Sequence, residues 1–359
     1  MTSTASPLTL RAGPEALRIV RTRGLQADDV DILPGASGGA KWLAIAGLDR
    51  FLFGEFLPAR DGHRTRPLHL IGSSIGSWRM ACLAQRDPLA ALARGHHAYI
   101  HEQRCSPRPS TREVTTVLTA ALDRILGDGG VGEILSHPWA RLHVITAEGR
   151  GLAASERRFA LAAALALAAT ANVVSRRSLT VQMRRTIFHS PGSASVFRHL
   201  RDLPTVHRTL TRENLRAVLL ASGSIPLLLD GVRIPGVPGG PHWDGGVTDY
   251  HLDLDFGRGD GLVLYPALLR AHRPGVVRQF APLASWPRSP SDPSGQALVL
   301  LRHESARHRP HLFRDRPRLF HRRAGGRDLG LAAQRGAIDG AINGAIDGAF
   351  TGRRGTVRH

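Results

Sequence analysis

Lysine is almost absent from this chain: of 48 basic residues, only Lys41 is not arginine. Aromatic residues make up 5%, and there are two cysteines, Cys82 and Cys105. No stretch supplies the roughly 18 uninterrupted apolar residues of a membrane-spanning helix. The longest apolar run, Leu161 to Val174, is alanine-rich and contains Thr170 and Asn172. Two cysteines cannot build a disulfide framework, so a reducing compartment is the simpler reading. The N-terminus lacks a charged start followed by an apolar run. No secretory signal is therefore expected, and the expected location is cytoplasmic. Metal-binding spacings such as H-E-x-x-H or paired C-x-x-C are also missing, so neither a metal nor another cofactor is expected.

The excess of positive charge is conspicuous, at +19. It is arginine spread along the chain, which reads as compositional bias more than as a binding surface. A nucleic-acid partner would call for basic clusters interleaved with aromatics, and none is seen. The local exception is Arg302–Arg327, with nine arginines and two acids. It is a candidate for peripheral contact with an anionic membrane. A hydrophobic content of 42% over 359 residues suits a globular chain with a sizeable core.

Two strand–turn–helix units follow one another. Val30–Leu33 reads as a strand, 34–41 as a glycine-rich turn, and Trp42–Phe56 has helical spacing. Leu68–Ile71 is again strand-like, 72–76 is a turn, and Ser77–Gln85 reads as a helix. Such tandem units predict a parallel sheet with helices packed on it. Further helices are predicted at Pro88–Tyr99, Thr111–Leu126, Ser155–Ser175 and Asn214–Ala221. Further strands are predicted at Leu142–Ala147, Val232–Ile234, Gly261–Tyr265 and Ala297–Leu301. Proline and serine between Pro274 and Pro293 suggest an exposed connection. The tail carries a four-residue Gly-Ala-Ile repeat from Gly336, whose Ile338, Ile342, Ile346 and Phe350 would line one helical stripe.

Both glycine turns contain G-x-S-x-G, a pattern that presents a serine on a tight strand-to-helix turn. Ser74, in Gly72-Ser73-Ser74-Ile75-Gly76, follows its strand directly and is the better nucleophile. In the other turn, around Ser37, adjacent Gly38 and Gly39 let backbone N–H groups converge on one point, as an oxyanion hole requires. A distal carboxylate, Asp244 in Asp244-Gly245-Gly246, sits where a tight loop could bring it to a hydroxyl. Asp128-Gly129-Gly130 shares those letters but follows a predicted helix and reads as its terminating turn.

Together these residues resemble the patatin-like phospholipases over roughly residues 28–270. That family carries a glycine-rich oxyanion loop, here Ser37-Gly38-Gly39-Ala40-Lys41-Trp42. It carries a G-x-S-x-G elbow, here Gly72 to Gly76, and a D-G-[GA] motif, here Asp244-Gly245-Gly246. Ala221-Ser222-Gly223-Ser224-Ile225-Pro226 is similar to a further family segment. The resemblance implies a three-layer α/β/α fold with a mostly parallel sheet. It also implies a Ser74–Asp244 dyad without histidine, and an oxyanion hole at Gly38, Gly39 and Ala40. Lys41, Gly72, Gly76, Gly245 and Gly246 would be supporting residues. The implied activity is hydrolysis of an acyl ester or phospholipid. The expected organisation is an N-terminal extension 1–27, a patatin-like domain 28–275, and an arginine-rich extension 276–359 ending in the repeat helix and packed on the same domain. Ser37 and Trp42 depart from the family pattern, and a bulky Trp42 would alter substrate access. Three alternatives stand beside this reading. They are an α/β-hydrolase with a Ser-His-Asp triad, a non-catalytic basic protein binding anionic lipid or nucleic acid, and a patatin-like scaffold without activity.

Overall fold

The structure is a computed structural model that describes residues 8–58, 64–256, 261–268 and 296–302. Among these residues nine strands form one sheet. They are β1 (Leu8–Ala12), β2 (Val30–Gly35), β3 (Leu68–Ser73), β4 (Ala140–Gly149), β5 (Met183–His189), β6 (Thr205–Thr209), β7 (His242–Asp244), β8 (Leu262–Leu268) and β9 (Gln296–Arg302). The order is β1-β9-β8-β2-β3-β4-β5-β6, with β7 on β4. Strands β8, β2, β3 and β4 run parallel, whereas β5 and β7 lie antiparallel to β4 and β9 antiparallel to β8. The helices are α1 (Pro14–Arg23), α2 (Ala46–Phe51), α3 (Ile75–Leu83), α4 (Pro88–His97), α5 (Thr111–Leu126), α6 (Gly130–Leu135), α7 (Arg158–Val174), α8 (Leu215–Ser222) and α9 (Gly246–Asp249). This is the expected three-layer α/β/α arrangement around a mostly parallel sheet.

Alternation along the central strands explains the two layers. Leu68 and Leu70 of β3, Leu142 and Val144 of β4 and Phe188 of β5 join a large core with α2 to α6 and α8. The intervening Ile71, Ile145 and Ile187 face the other way, under Phe197, Leu200, Leu252 and Leu254. Beyond them on that face, Ala147 and Met183 receive Leu161 and Ala164 of α7. Helix starts follow local chemistry. Ser110 accepts the Glu113 N–H at 3.1 Å to cap α5, and Asp87 accepts the Ala90 N–H at 2.9 Å to cap α4, where Pro88 takes the first position.

Several expectations change in detail. The helical pattern over Trp42–Phe56 is three successive windings, 3₁₀ at Gly39–Ile45, α2, and a widened π turn at Leu52–Phe56. Val232–Ile234 is no strand: only Val232 bridges to His242, and Pro235, which has no N–H, follows at once. The sheet also extends past 28–275, because β1 pairs with β9 and β9 with β8. The Pro274–Pro293 connection, the Gly336 repeat helix and the arginine-rich segment after Arg302 lie outside the described residues. Among the described residues no helix is long and apolar enough to cross a membrane.

Candidate active site

Ser74 ends β3 and opens α3 with φ 56° and ψ −134°. A positive φ at a serine costs about 1–3 kcal/mol and persists only where the surroundings impose it. Ser37 in the competing loop has no such backbone. The imposing parts are close contacts. A Cβ on Gly76 would lie 1.9 Å from the Gly35 carbonyl oxygen, so only glycine lets the first turn of α3 lie against the end of β2. Gly72 is pressed in the same way against Ser77. Every residue of α3 is buried. Arg79 on it pairs with buried Asp49 at 2.7 Å, and the Trp78 indole N–H donates to the Leu219 carbonyl at 2.8 Å. The elbow therefore stands on a helix fixed inside the core.

Asp244 arrives 170 positions later in sequence and accepts the Ser74 hydroxyl at 2.6 Å through Oδ2. That length is typical of a charge-assisted O–H···O⁻ bond. Its other oxygen accepts the Gly246 N–H at 2.6 Å. Burial pushes the Asp244 carboxyl up to about 6, while the bonds from Ser74 and Gly246 pull the other way. No imidazole stands between hydroxyl and carboxylate. His242, two residues before Asp244, holds Thr146 Oγ1 at 2.9 Å instead, and burial pushes it down to about 4.

One strand sets this meeting. On β4, Ile145 pairs with Ser73 and the next residue, Thr146, pairs with Asp244. Strands β3 and β7 thus occupy the same edge of β4, end to end. Gly245 and Gly246 follow where side chains would collide. A Cβ on Gly245 would lie 2.3 Å from the Ile145 oxygen, and one on Gly246 would lie 2.7 Å from Ser37 Oγ.

The segment Ala221–Pro226 supplies the braces that sequence reading left without a role. Ser222, fully buried, accepts the Ser74 N–H at 3.0 Å and donates to the Ile145 carbonyl at 2.7 Å. Its own carbonyl accepts the Gly245 N–H at 3.1 Å, and the Ser224 carbonyl accepts the Asp244 N–H at 2.9 Å. At the end of α9, Asp249 is gripped by Arg185 at 3.0 Å and Arg176 at 2.7 Å. Ser222 and Ser224 stand in the segment already noted as similar to a family motif, whereas Arg176, Arg185 and Asp249 stand in no pattern that announces them. The small-residue run around Ser222 was the available signal.

The candidate oxyanion loop lies against both halves of the dyad. Gly35 pairs with Gly72, and Ser37 donates through Oγ to Ser73 Oγ at 3.1 Å. The Ser37 N–H is taken by the Tyr250 carbonyl at 3.0 Å. Gly38 precedes the 3₁₀ turn and Gly39 begins it at φ 55°. Nothing lies within 4 Å of where a Gly39 Cβ would be, so open space adjoins this residue. Gly38 and Gly39 are half-buried, while Ala40 and Lys41 are exposed. Lys41 closes the turn through its amide, 3.3 Å from the Gly38 carbonyl. Trp42 is 4% exposed and packs edge-on against His96 and Tyr99, with ring centroids at 4.6 Å and 5.7 Å. The indole is thus part of the helical layer and is not presented to solvent. Tyr99 and Tyr250 both feel the Asp244 charge, which, after burial, raises their phenols.

The structure thus brings Ser74, Asp244, Gly72, Gly76, Gly245 and Gly246 together with Gly35 and Ser37 of the loop that carries Gly38 and Gly39. Asp128 lies apart from them, in the turn between α5 and α6. Comparison with family models, curated proteins and solved structures finds no match to this chain.

Proposed function

We propose that this chain is a serine acyl hydrolase acting on an acyl ester such as a lipid or phospholipid. The observation that carries the reading is the 2.6 Å bond from the strained Ser74 hydroxyl to buried Asp244. In the proposed reaction Ser74 Oγ attacks the ester carbonyl carbon, and its proton passes to Asp244 Oδ2. The carbonyl oxygen becomes an oxyanion facing the Gly38 and Gly39 amides. Collapse breaks the bond to the alcohol, which leaves with the proton from Asp244. Water then attacks the acyl-enzyme, giving its proton to Asp244, and the acid departs as Ser74 recovers that proton. A carboxyl poised at about 6 suits both directions of this transfer near neutral pH. A cytoplasmic location belongs to the same reading. Contact with a membrane surface would involve Arg302–Arg327, which continues past the end of β9.

A fluorophosphonate probe tests the reading. The native chain should be labelled, Ser74→Ala should not, and Asp244→Asn should be labelled at least about a hundredfold more slowly, the scale of a lost general base. Equal labelling of native and Ser74→Ala protein would remove Ser74 as nucleophile. Loss in one histidine variant comparable to Ser74→Ala would replace the dyad with a triad.

A further inference from the structure

A cavity of about 670 Å³ opens at the outer side of β6, on the opposite flank of β4 from β3 and Ser74. Arg177, Arg198, Arg201, His207, Thr180 and Thr205 line it. Three guanidiniums and no carboxylate face one space. Among the described residues none of the three forms an ion pair. The nearest acid in sequence, Asp202, is occupied by Arg185 at 2.6 Å and Arg176 at 3.0 Å. Thr180 and Thr205 donate their hydroxyls to the Arg177 and Leu203 carbonyls, and Arg201 gives Nη1 to the Arg198 and Leu200 carbonyls. The ligand donors are therefore the remaining guanidinium N–H groups, planar and permanently charged, which match a dianion with several terminal oxygens. Leu200, Leu203 and Pro204 add an apolar wall that inorganic phosphate alone would not cover.

His207 has a second connection. Its Nδ1 lies 2.7 Å from His189 Nε2, His189 Nδ1 lies 2.8 Å from His143 Nδ1, and His143 Nε2 lies 3.0 Å from His69 Nδ1. The chain of imidazoles crosses β6, β5, β4 and β3, and Phe197 packs on its two middle rings. Burial holds His143 and His189 neutral, the latter pushed down to about 3. A neutral imidazole carries one N–H, so each middle ring must donate to one neighbour and accept from the other. Only two arrangements satisfy all three bonds: every ring donates towards His207, or every ring donates towards His69. An anion in the cavity needs a donor at His207 Nε2. Burial and the guanidiniums of Arg198, Arg185 and Arg201 disfavour a charged His207, with His189 and Arg177 as its other neighbours, and a neutral ring that donates from Nε2 accepts at Nδ1.

We propose that this cavity binds a phosphomonoester, and that its occupation sets the whole histidine chain to donate towards His207. Reversal from the other arrangement moves each shared proton one ring along. His207 Nε2 takes one proton from water and His69 Nε2 gives one up, so charge is conserved. Ligand in the cavity thereby fixes the tautomer of His69, on the strand that ends at Ser74.

Titration calorimetry of the full chain should show sn-glycerol 3-phosphate binding, with acetate as the control that does not bind. Exposed Arg177→Gln and Arg198→Gln should each weaken it about tenfold without loss of fold. Vesicles of phosphatidylcholine with and without phosphatidic acid identify the source. Retention by phosphatidic acid with no binding of glycerol phosphate assigns a lipid headgroup, and the reverse assigns a soluble ligand. Binding of neither, or binding unaffected by both arginine variants, overturns the site. Ring ¹⁵N shifts of the saturated protein should show N–H at His143 Nδ1 and His189 Nε2. N–H at His143 Nε2 and His189 Nδ1, or a doubly protonated His207, overturns the coupling.

Discussion

Replacing Asp244 with asparagine should make the protein more stable while disabling the proposed chemistry, and the gain should depend on pH in a defined way. Burial raises this carboxyl from an ordinary 3.8 to about 6. At about 1.4 kcal/mol per pH unit, ionising it inside the fold costs about 3 kcal/mol more than ionising it in the unfolded chain. The sign follows from proton counting. Between pH 4 and pH 6 the folded state holds the proton more often than the unfolded state, so stability falls as pH rises through that window. Above it the full penalty is present. Asparagine keeps the shape, can accept the Gly246 N–H through Oδ1 and can donate to Ser74 Oγ through Nδ2, yet it never ionises. The difference in unfolding free energy between Asp244→Asn and native protein should therefore grow by about 3 kcal/mol from pH 4 to pH 7.5. At about 2 °C per kcal/mol for a chain of this size, the variant should gain about 6 °C in Tm over the same range. Urea melts followed by tryptophan fluorescence at pH 4, 5, 6 and 7.5 measure it, and taking differences cancels every other titrating group. A stability difference that stays flat with pH, or shrinks as pH rises, would refute the buried, proton-hungry carboxylate on which the mechanism depends.

Labelling of native protein by a fluorophosphonate should rise with pH and reach half its maximum near pH 6, because only ionised Asp244 can take the Ser74 proton. A rate that is level from pH 5 to pH 8 would exclude Asp244 as base. Ser222→Ala leaves the buried Ser74 N–H and Ile145 carbonyl without their side-chain partner, so it should cost about 1–3 kcal/mol in chemical denaturation and slow labelling. Unchanged stability would show that neither bond matters. Arg79→Met strands a buried carboxylate at Asp49 and should cost about 3–5 kcal/mol, most of it recovered by adding Asp49→Leu. Equal costs for the single and double variants would mean that the ion pair is not what anchors α3.

Chemistry that depends on neighbours in sequence was legible before any coordinates. The elbow around Ser74 and the Gly38–Gly39 turn announce themselves because a tight strand-to-helix turn needs small residues within a few positions. The two-sided burial of β3 and β4 is visible only in part, since Leu70-Ile71 and Val144-Ile145 put apolar side chains on both faces while His69 and His143 interrupt the run. What stayed hidden depends on pairing across long stretches of chain. The segment holding Ser222 was visible as a family-like motif, but only the register of α8 against β3 and β4 shows that Ser222 holds Ser74 and Ile145 together. Arg185 and Arg176 are two among many arginines until Asp249 and Asp202 meet them. His69, His143, His189 and His207 are scattered singly, and no local spacing joins them. Their alignment appears only once β3, β4, β5 and β6 are side by side.

The geometry of the site follows from β4 being longer than the strand beside it. Pairing with β3 ends at Ile145 and pairing with β7 starts at Thr146, so a backbone gap of one residue separates the line of Ser73 from that of Asp244. A strand rises about 3.3 Å per residue, which is close to hydrogen-bond range once the side chains turn towards each other. Strand β7 has three residues and cannot hold that register alone. Its N–H groups at Asp244 and Gly245 are instead tied to the Ser224 and Ser222 carbonyls, and Ser222 is tied in turn to the Ser74 amide. Nucleophile, carboxylate and brace thus form a closed loop of bonds through Ile145. A shift of β7 by one residue would turn Asp244 to the opposite face and break every link at once. The dyad is consequently held by sheet register, and loosening α8 should disturb it as surely as changing Asp244 itself.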